Sequence, residues 1–541
     1  MLRRNFIKLS AATLAATMYS RLTYATGTSE ALISHPSEAW AQTIEGWVKL
    51  RASGSAYTYK DIIVALKSGG NAQSVTIQAS QSGLMAVRLV WKYQTAARTK
   101  VLGDHWERSY GDLGWAAPES SAKKPWYVLL HDDKQTACFG VKTGGNTICY
   151  WEVKPASMEL TMDTRSGGSA VLLGQRKLHA ADIVTTMSKP GENAYAVATR
   201  FCKIMCTNPR LPKQPVYGIN DWYVVYGKNS YQTIKEQTAA MAEFVSDHNN
   251  KPFSVIDDGW QQSDDFSMVN DKFKDMHKMA DEIKGLGMRP GLWTRPLIAR
   301  KDDKESILAP AIPGREKGEI LDPTVPETIE RVKRNIALYK QWGYHMVKHD
   351  FSSYDIFGKW GMRMNDSLTA PGWKYADQTK TNAEIINNLY SAIRDSAGDM
   401  YIIGCNTMSH LSAGVFELNR TGDDTSGKEW ARTKKMGVNT LGFRLPHHNT
   451  FYAADGDCVG LTKDVPWDKN KQWLELLAGS GSPLFISAEL ETLTADKKAA
   501  IKSAFAQAAR VQPTGEPLDW LTEQFPQKWK LDNKIVTFNW D

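Results

Sequence analysis

Cysteine is scarce in this chain, with six residues in 541. That excludes a disulfide-built scaffold, and no Cys-x-x-Cys pair of the kind that holds zinc occurs. An excess of one charge is missing too. The 66 Lys and Arg against 59 Asp and Glu leave a formal charge of +7, too mild to imply nucleic acid or a membrane surface as partner. The apolar stretch near the N-terminus, Leu9 to Tyr19, is too short to span a bilayer, so no membrane anchor is expected there. No Gly-rich phosphate loop follows the strand-like run at Val216, which argues against an open doubly wound sheet.

The composition is that of a globular protein, 42% hydrophobic and 23% charged, and long enough for a large barrel with an accessory domain. There are 19 Trp, whose faces stack well on sugar rings, although a buried core is the commoner use of any one of them. Arg3-Arg4-Asn5-Phe6-Ile7-Lys8 resembles a twin-arginine export motif, and Thr23-Tyr24-Ala25 offers a cleavage site. Residues 1–25 are therefore expected to be a removable signal, and the mature protein periplasmic or secreted. Cleavage would leave 62 basic against 59 acidic residues, a formal charge of +3. Cys202 and Cys206 read as buried thiols on one helical face. Cys138 and Cys149 could flank a hairpin, where export would permit a disulfide.

Residues 27–207 carry short β-rich runs broken by Gly, Ser and Asn, such as Ser74–Gln78, Met85–Trp91, Trp126–Leu130 and Ala170–Leu173; these predict a β-sandwich. Asn208 to Pro215 holds three prolines and reads as a linker. Over residues 212–511 strand, polar turn and helix alternate. The strand-like runs are Val216–Val225, Phe253–Ile256, Pro290–Trp293, His345–Val347, Tyr401–Gly404, Phe416–Asn419, Thr440–Leu445 and Pro483–Ser487. Helical patterns such as Glu327–Trp342 and Asn382–Asp395 lie between them. The fold class expected is thus multidomain α/β: an N-terminal β-sandwich, a (β/α)8 TIM barrel, and a short β-containing tail over residues 512–541. The β-like segment Lys534–Trp540 looks like the first strand of a small domain, reduced or truncated here.

Barrel chemistry belongs at the C-terminal ends of the strands. Lys348 and Asp350, two apart on the fourth strand, face the same side, and a cation beside Asp350 would hold it ionised for nucleophilic attack. A structural Lys–Asp pair accounts for the motif alone equally well. Asp257 and Asp258 end the second strand and could accept hydrogen bonds from sugar hydroxyls, with Trp260 or Trp293 as an apolar wall. Asp-rich mouths also bind Mg²⁺ or Ca²⁺, but Lys348 already supplies positive charge, so no metal and no cofactor is expected. His447-His448 lacks a ligand spacing. Arg420 and Asp424 follow the sixth strand. Asp424 is the candidate general acid/base, with a pKa expected to be raised by a neighbouring negative charge, and Asp423 is its rival. Two carboxylates facing across a mouth are what glycosidic bond cleavage needs.

The ordered motifs Ile256-Asp257-Asp258-Gly259-Trp260, Leu292-Trp293-Thr294, Lys348-His349-Asp350-Phe351, Gly404-Cys405-Asn406, Arg420-Thr421-Gly422-Asp423-Asp424-Thr425, Ala454-Asp455-Gly456-Asp457-Cys458 and Ser482-Pro483-Leu484-Phe485 resemble the catalytic domain of glycoside hydrolase family 36, the retaining α-galactosidases. A more distant likeness is to family 27. The resemblance implies Asp350 as nucleophile and Asp424 as acid/base. It further implies Asp257 and Asp258 at O4 and O6 of a galactose, Lys348 at O3 or O4, and Cys405 and Arg420 near O2. Trp222 and Trp293 would be aromatic walls, and Asp457 would line the pocket. The partner implied is an oligosaccharide or polysaccharide with terminal α-galactosyl groups. The chain departs from the family in the Gly404–Met408 continuation, which is not Gly-rich, in Gly456 where proline is usual, and in the short tail. The altered loop keeps open an α-N-acetylgalactosaminidase or a β-L-arabinopyranosidase on the same scaffold. A catalytically inactive glycan-binding protein is the remaining alternative. Trp106 to Asp112, in the sandwich, is either a loop reaching the pocket rim or an ordinary turn.

Overall fold

The computed structural model describes residues 32, 35–70, 72–118, 122–245 and 249–541. The expected export signal over residues 1–25 lies outside them.

Two antiparallel sheets come first. One has six strands in the order Gly46–Lys49, Glu38–Thr43, Ala86–Lys92, Ser157–Asp163, Ile148–Lys154 and Lys124–Pro125. The other has eight and centres on Ile62–Gly69, Ala72–Ala79 and the long Gly174–Met187. Their residues alternate buried and exposed, as in Ile62–Gly69, because one face of each sheet meets the core. Across that core the Phe139 ring lies 6.1 Å from Trp151. Ala170–Leu173 is not a strand; its only ladder contact is a bridge from Val171 to Leu84. Cys202 lies in helix Ala194–Met205 and Cys206 caps it, both buried. Cys138 and Cys149 sit in different sheets, and all six cysteines are free.

The remainder is a curled, all-parallel sheet with a layer of helices, a TIM-like barrel. Its strands are Tyr217–Asn220, Phe253–Ile256, Arg289–Thr294, Met346–His349, Tyr401–Gly404, Leu418–Arg420, Ala453–Asp455, Cys458–Leu461 and Leu484–Ala488. The first pairs with both the second and the last. Ala453–Asp455 pairs with the sixth strand, and Cys458–Leu461 pairs with Leu484–Ala488. These two segments are one seventh strand interrupted at Gly456-Asp457, and through it the sheet closes. A Cβ on Gly456 would come within 2.8 Å of the Leu477 side chain, so a glycine suits the interruption. Asp457 takes the left-handed conformation (φ 72°).

Thr440–Leu445, expected as the seventh strand, is instead buried helix (Thr440–Arg444 and one further turn). A short apolar run fits either state, and here the preceding turns Trp430–Thr433 and Lys434–Asn439 continue directly into it. The true strand, Ala453-Ala454-Asp455, carries no β-branched or aromatic residue to announce it. Likewise only Tyr217–Asn220 of the run Val216–Val225 is extended, and Trp222–Val225 forms a helical turn. Helix Asn382–Ala397 starts at a reciprocal capping box formed by Thr381 and Glu384. The tail holds three antiparallel strands, Glu516–Pro517, Lys528–Leu531 and Lys534–Thr537, so the β-like segment is the last strand of that sheet rather than its first. Among the described residues no helix is long and apolar enough to cross a membrane.

Candidate active site

The fourth strand ends at His349, and strand alternation separates its neighbours. His349 points into the helix layer, its ring 5.5 Å from both Tyr390 and Phe416. Burial there pushes its pKa down to about 3, so it is neutral. Lys348 and Asp350 face the mouth. At Phe351 the backbone turns left-handed (φ 64°), which brings its own N–H onto Asp350 Oδ1 at 2.7 Å. The Asn406 N–H donates to the same oxygen at 3.0 Å, and Trp293 Nε1 donates to Oδ2 at 3.1 Å. Three neutral donors from three barrel segments therefore fix this carboxylate.

Lys348 is not its partner. The ammonium lies 2.6 Å from Asp257 Oδ2, and although burial opposes the charge, Asp257 holds the Lys348 pKa well above its ordinary value. Asn220 Nδ2 donates to the same Asp257 oxygen at 2.7 Å, and the Asp258 N–H donates to the other at 2.9 Å. Behind them Asp221 accepts the Asp257 N–H at 2.7 Å; burial and then the Asp257 charge push its pKa up to about 7. Asp258 is more open. Burial raises its pKa, the Gln261 amide donating at 2.7 Å opposes that, and Asp257 adds to the rise. The cation facing the acid pair is thus a lysine of the chain itself. Among the described residues no group of three or more His, Cys, Asp or Glu is placed to hold a metal ion.

The opposite side is organised by Arg420, buried at the end of the sixth strand. Its guanidinium lies 2.8 Å from Asp457, 3.4 Å from Asp424 and 3.5 Å from Cys405 Sγ. Asp457 Oδ2 also accepts the Thr425 N–H at 2.8 Å, its hydroxyl at 2.9 Å, and the Tyr223 hydroxyl. All four of these contacts fall on Oδ2; through it Asp457 holds Arg420, and it lines the cavity at the strand ends together with Lys348 and Arg420. Asp424 is different: its side chain is 36% exposed, and guanidinium groups face it, Arg420 at 3.4 Å and Arg108 at 3.7 Å. Burial would raise its pKa, but Arg420, Arg108, Lys348 and Arg432 outweigh that and hold it below the usual carboxylate value. This reverses the expected direction, because the charges nearest Asp424 are cationic. The rival Asp423 is tied to Arg108 at 2.7 Å and to Arg432 at 3.0 Å.

Asp350 and Asp424 open on one mouth. The Asn406 N–H holds Asp350, and the adjacent Cys405 thiol touches both arginines that face Asp424. Burial pushes the Cys405 pKa well up, so the thiol is neutral. Trp293 is buried with its N–H on Asp350. Trp260 stands behind it, donating to the Trp293 carbonyl at 3.0 Å. Trp222 is half-buried in its helical turn, its ring 5.6 Å from that of Tyr226. Sequence reading missed Asn220, Asp221, Tyr223 and Asn406. Position just past a barrel strand would have found Asp221 and Asn406; nothing local marks Tyr223.

A parallel barrel with carboxylates at the C-terminal ends of its strands is a layout that suits glycoside hydrolysis. No protein-family model matches the chain, and no curated protein does. Solved structures do match, among them several α-galactosidases. One from Thermus thermophilus, in complex with p-nitrophenyl α-D-galactopyranoside, superposes with a TM-score of 0.59 at 16% identity, covering 93% of this chain and 99% of that one. A variant of the glycoside hydrolase family 36 α-galactosidase from Geobacillus stearothermophilus, in complex with raffinose, gives 0.58 at 13% identity over 93% and 80%. The α-galactosidase from Lactobacillus brevis gives 0.57 at 12% identity over 88% and 73%. The chain shares their fold.

Proposed function

We propose that the protein is a retaining exo-glycosidase that hydrolyses terminal α-galactosides. The observation that carries this reading is the pair of unlike carboxylates on one mouth, Asp350 fixed by three N–H donors and Asp424 faced by Arg420 and Arg108. Asp350 attacks the anomeric carbon as the glycosidic C–O bond breaks, and the leaving oxygen takes the proton of Asp424. Asp424, now a carboxylate, removes a proton from water as that water attacks the glycosyl ester. Asp350 is released and the configuration at C1 is retained. Such a mechanism calls for carboxyl groups about 5–5.5 Å apart. The α-galactosidase fold neighbours support the choice of sugar, and the Asp257–Lys348–Asp258 corner offers polar groups for two adjacent hydroxyls.

Incubation with a mechanism-based 2-deoxy-2-fluoro galactosyl fluoride, followed by peptide mapping, tests the reading. A label on Asp350 is expected; turnover without any label there would overturn it, and absence of both label and turnover would favour a glycan-binding protein. The Gly404–Met408 segment, which is not Gly-rich, supports a second reading on the same scaffold, an α-N-acetylgalactosaminidase or a β-L-arabinopyranosidase. A panel of aryl α-galactoside, α-N-acetylgalactosaminide and β-L-arabinopyranoside separates the sugars. Export to the periplasm or beyond is proposed on the Arg3–Lys8 motif, the apolar stretch after it and the Thr23-Tyr24-Ala25 cleavage site, and N-terminal sequencing of the secreted form checks it.

A further inference from the structure

The loop Trp106–Asp112 leaves the sandwich and enters the barrel mouth. Residues 106–111 are buried there: Glu107 and Ser109 are inaccessible and Arg108 is 5% exposed. Its backbone pairs with the segment that carries Asp424. The Ser109 N–H donates to the Thr421 carbonyl at 2.9 Å, and the Asp423 N–H donates to the Ser109 carbonyl at 2.8 Å. A Cβ on Gly422 would lie 2.2 Å from the Met436 carbonyl, so only glycine lets the two segments run this close to the helix behind. Arg444, fully buried, clamps both. It donates to the Thr421 carbonyl at 3.0 Å, to the Glu107 carbonyl at 2.6 Å, and to Asp104 at 2.7 Å.

Two side chains of this loop reach opposite halves of the site. Glu107 accepts from the Asn406 amide, the Ser353 hydroxyl, the Tyr110 hydroxyl and, at 2.9 Å, the Gly361 N–H. Asn406 is the residue whose own N–H holds Asp350. Arg108 lies 2.7 Å from Asp423 and 3.7 Å from Asp424, touches Cys405 Sγ at 3.6 Å, and sits 5.5 Å from the centre of the Trp360 ring. Its Nε is buried with no hydrogen-bond partner. We infer that the Glu107–Arg108 dipeptide of the sandwich is part of the active site, with Arg108 a positioning residue that governs when Asp424 carries its proton and Glu107 one that seats the loop holding Asp350.

The inference rests on Asp424 being the acid/base. Other charged and titratable groups face Asp424 from every side. Arg420 comes from the sixth strand, Lys348 from the fourth, Arg432 from the helical turn after the site, and Tyr223 and Tyr226 from the segment after the first strand. Asp457 shares Arg420, and Asp423 is adjacent. Arg108 is the one supplied by the other domain. A cation at this distance lowers a carboxyl pKa. The protonated form that glycosylation requires is then populated only towards acidic pH, and the basic limb of kcat/KM lies low. Sandwich and barrel are coupled through this contact.

Arg108→Gln and Arg108→Lys test it. With p-nitrophenyl α-galactopyranoside, the basic limb of kcat/KM should move up by about one pH unit in Arg108→Gln, and back towards the parent in Arg108→Lys. A lower kcat at every pH with an unmoved limb would overturn the proposal. Asp424 carboxyl titration followed by ¹³C NMR of the full chain, assigned by difference from Asp424→Asn, gives a readout independent of turnover. Its midpoint should rise in Arg108→Gln, and no change would again overturn the role of Arg108. If the midpoint moves while the parent hydrolyses none of the sugars, the acid/base reading fails and the Arg108–Asp424 contact survives. Glu107→Gln should lower kcat without moving the limb; a shifted limb instead would contradict the division between the two residues. Unchanged near-ultraviolet dichroism in Arg108→Lys guards against misfolding.

Discussion

Asp350 and Asp424 are the same residue type on the same mouth, yet the chain treats them oppositely. Asp350 sits one residue past a strand, is nearly inaccessible, and is held by three neutral N–H groups from separate segments. Asp424 lies four residues past a strand, is about a third exposed, and is governed by guanidinium groups, two of them buried. Neutral donors fix the place of an atom. Cations fix its charge while leaving it room to move. A group that must form a bond to carbon needs the first arrangement, and one that must gain and lose a proton needs the second.

The largest effect should come from removing the fixed oxygen. Asp350→Asn is expected to abolish turnover by several orders of magnitude, equally for poor and activated aglycones, since no nucleophile remains. Asp424→Asn should cost about 10²–10⁴-fold on a disaccharide whose leaving oxygen needs a proton. It should cost far less in the first step with a 2,4-dinitrophenyl galactoside, which leaves unaided. Steady-state rates with the two substrates check both variants. If Asp350→Asn also became tolerant of the activated aglycone, the assignment of the two roles would have to be exchanged.

Much of this contrast could be read from the chain, and the reason some could not is physical. Both carboxylates, Lys348, Arg420 and Asp257 stand where period and strand ends predict the mouth, because alternation and βα punctuation are local properties. Pairing is not local. Lys348 and Asp257 are 91 positions apart, and only closure of the sheet decides that the lysine neutralises Asp257 and leaves Asp350 to N–H donors. The direction of the Asp424 shift is legible only in part: Arg420, four residues before it, is a local cation, but Arg108 and Lys348 join it only through the fold. Within the barrel, Thr440–Leu445 was misassigned because its apolar pattern is too short to carry a period.

An intermediate effect isolates one donor. Trp293→Phe keeps the buried ring and deletes the N–H at 3.1 Å from Asp350. A hydrogen bond to a charged group contributes about 1.5–3 kcal/mol, so kcat should fall about ten- to hundredfold. KM should change little, because the lost contact acts on the nucleophile and not on the bound sugar. A variant that raised KM alone would mean that Trp293 serves as a sugar wall and that the Phe351 and Asn406 N–H groups suffice for Asp350.

The smallest effect distinguishes the cations themselves. Arg432 lies 3.0 Å from Asp423 and also acts on Asp424, but its side chain is 39% exposed, against 7% for Arg108. Water and salt screen an exposed guanidinium, and pairs of this kind contribute about 0.2–1 kcal/mol. One pKa unit corresponds to about 1.4 kcal/mol, so Arg432→Gln should raise the basic limb of kcat/KM by no more than about 0.7 of a unit. The residual effect should shrink further between low and high salt. The shift produced by Arg108→Gln should persist in salt, since burial shields that contact from counter-ions. Parallel pH profiles of the two variants at two ionic strengths decide the matter. Equal shifts with equal salt dependence would mean that Asp424 responds to the summed charge of the mouth and not to the particular guanidinium that the sandwich delivers.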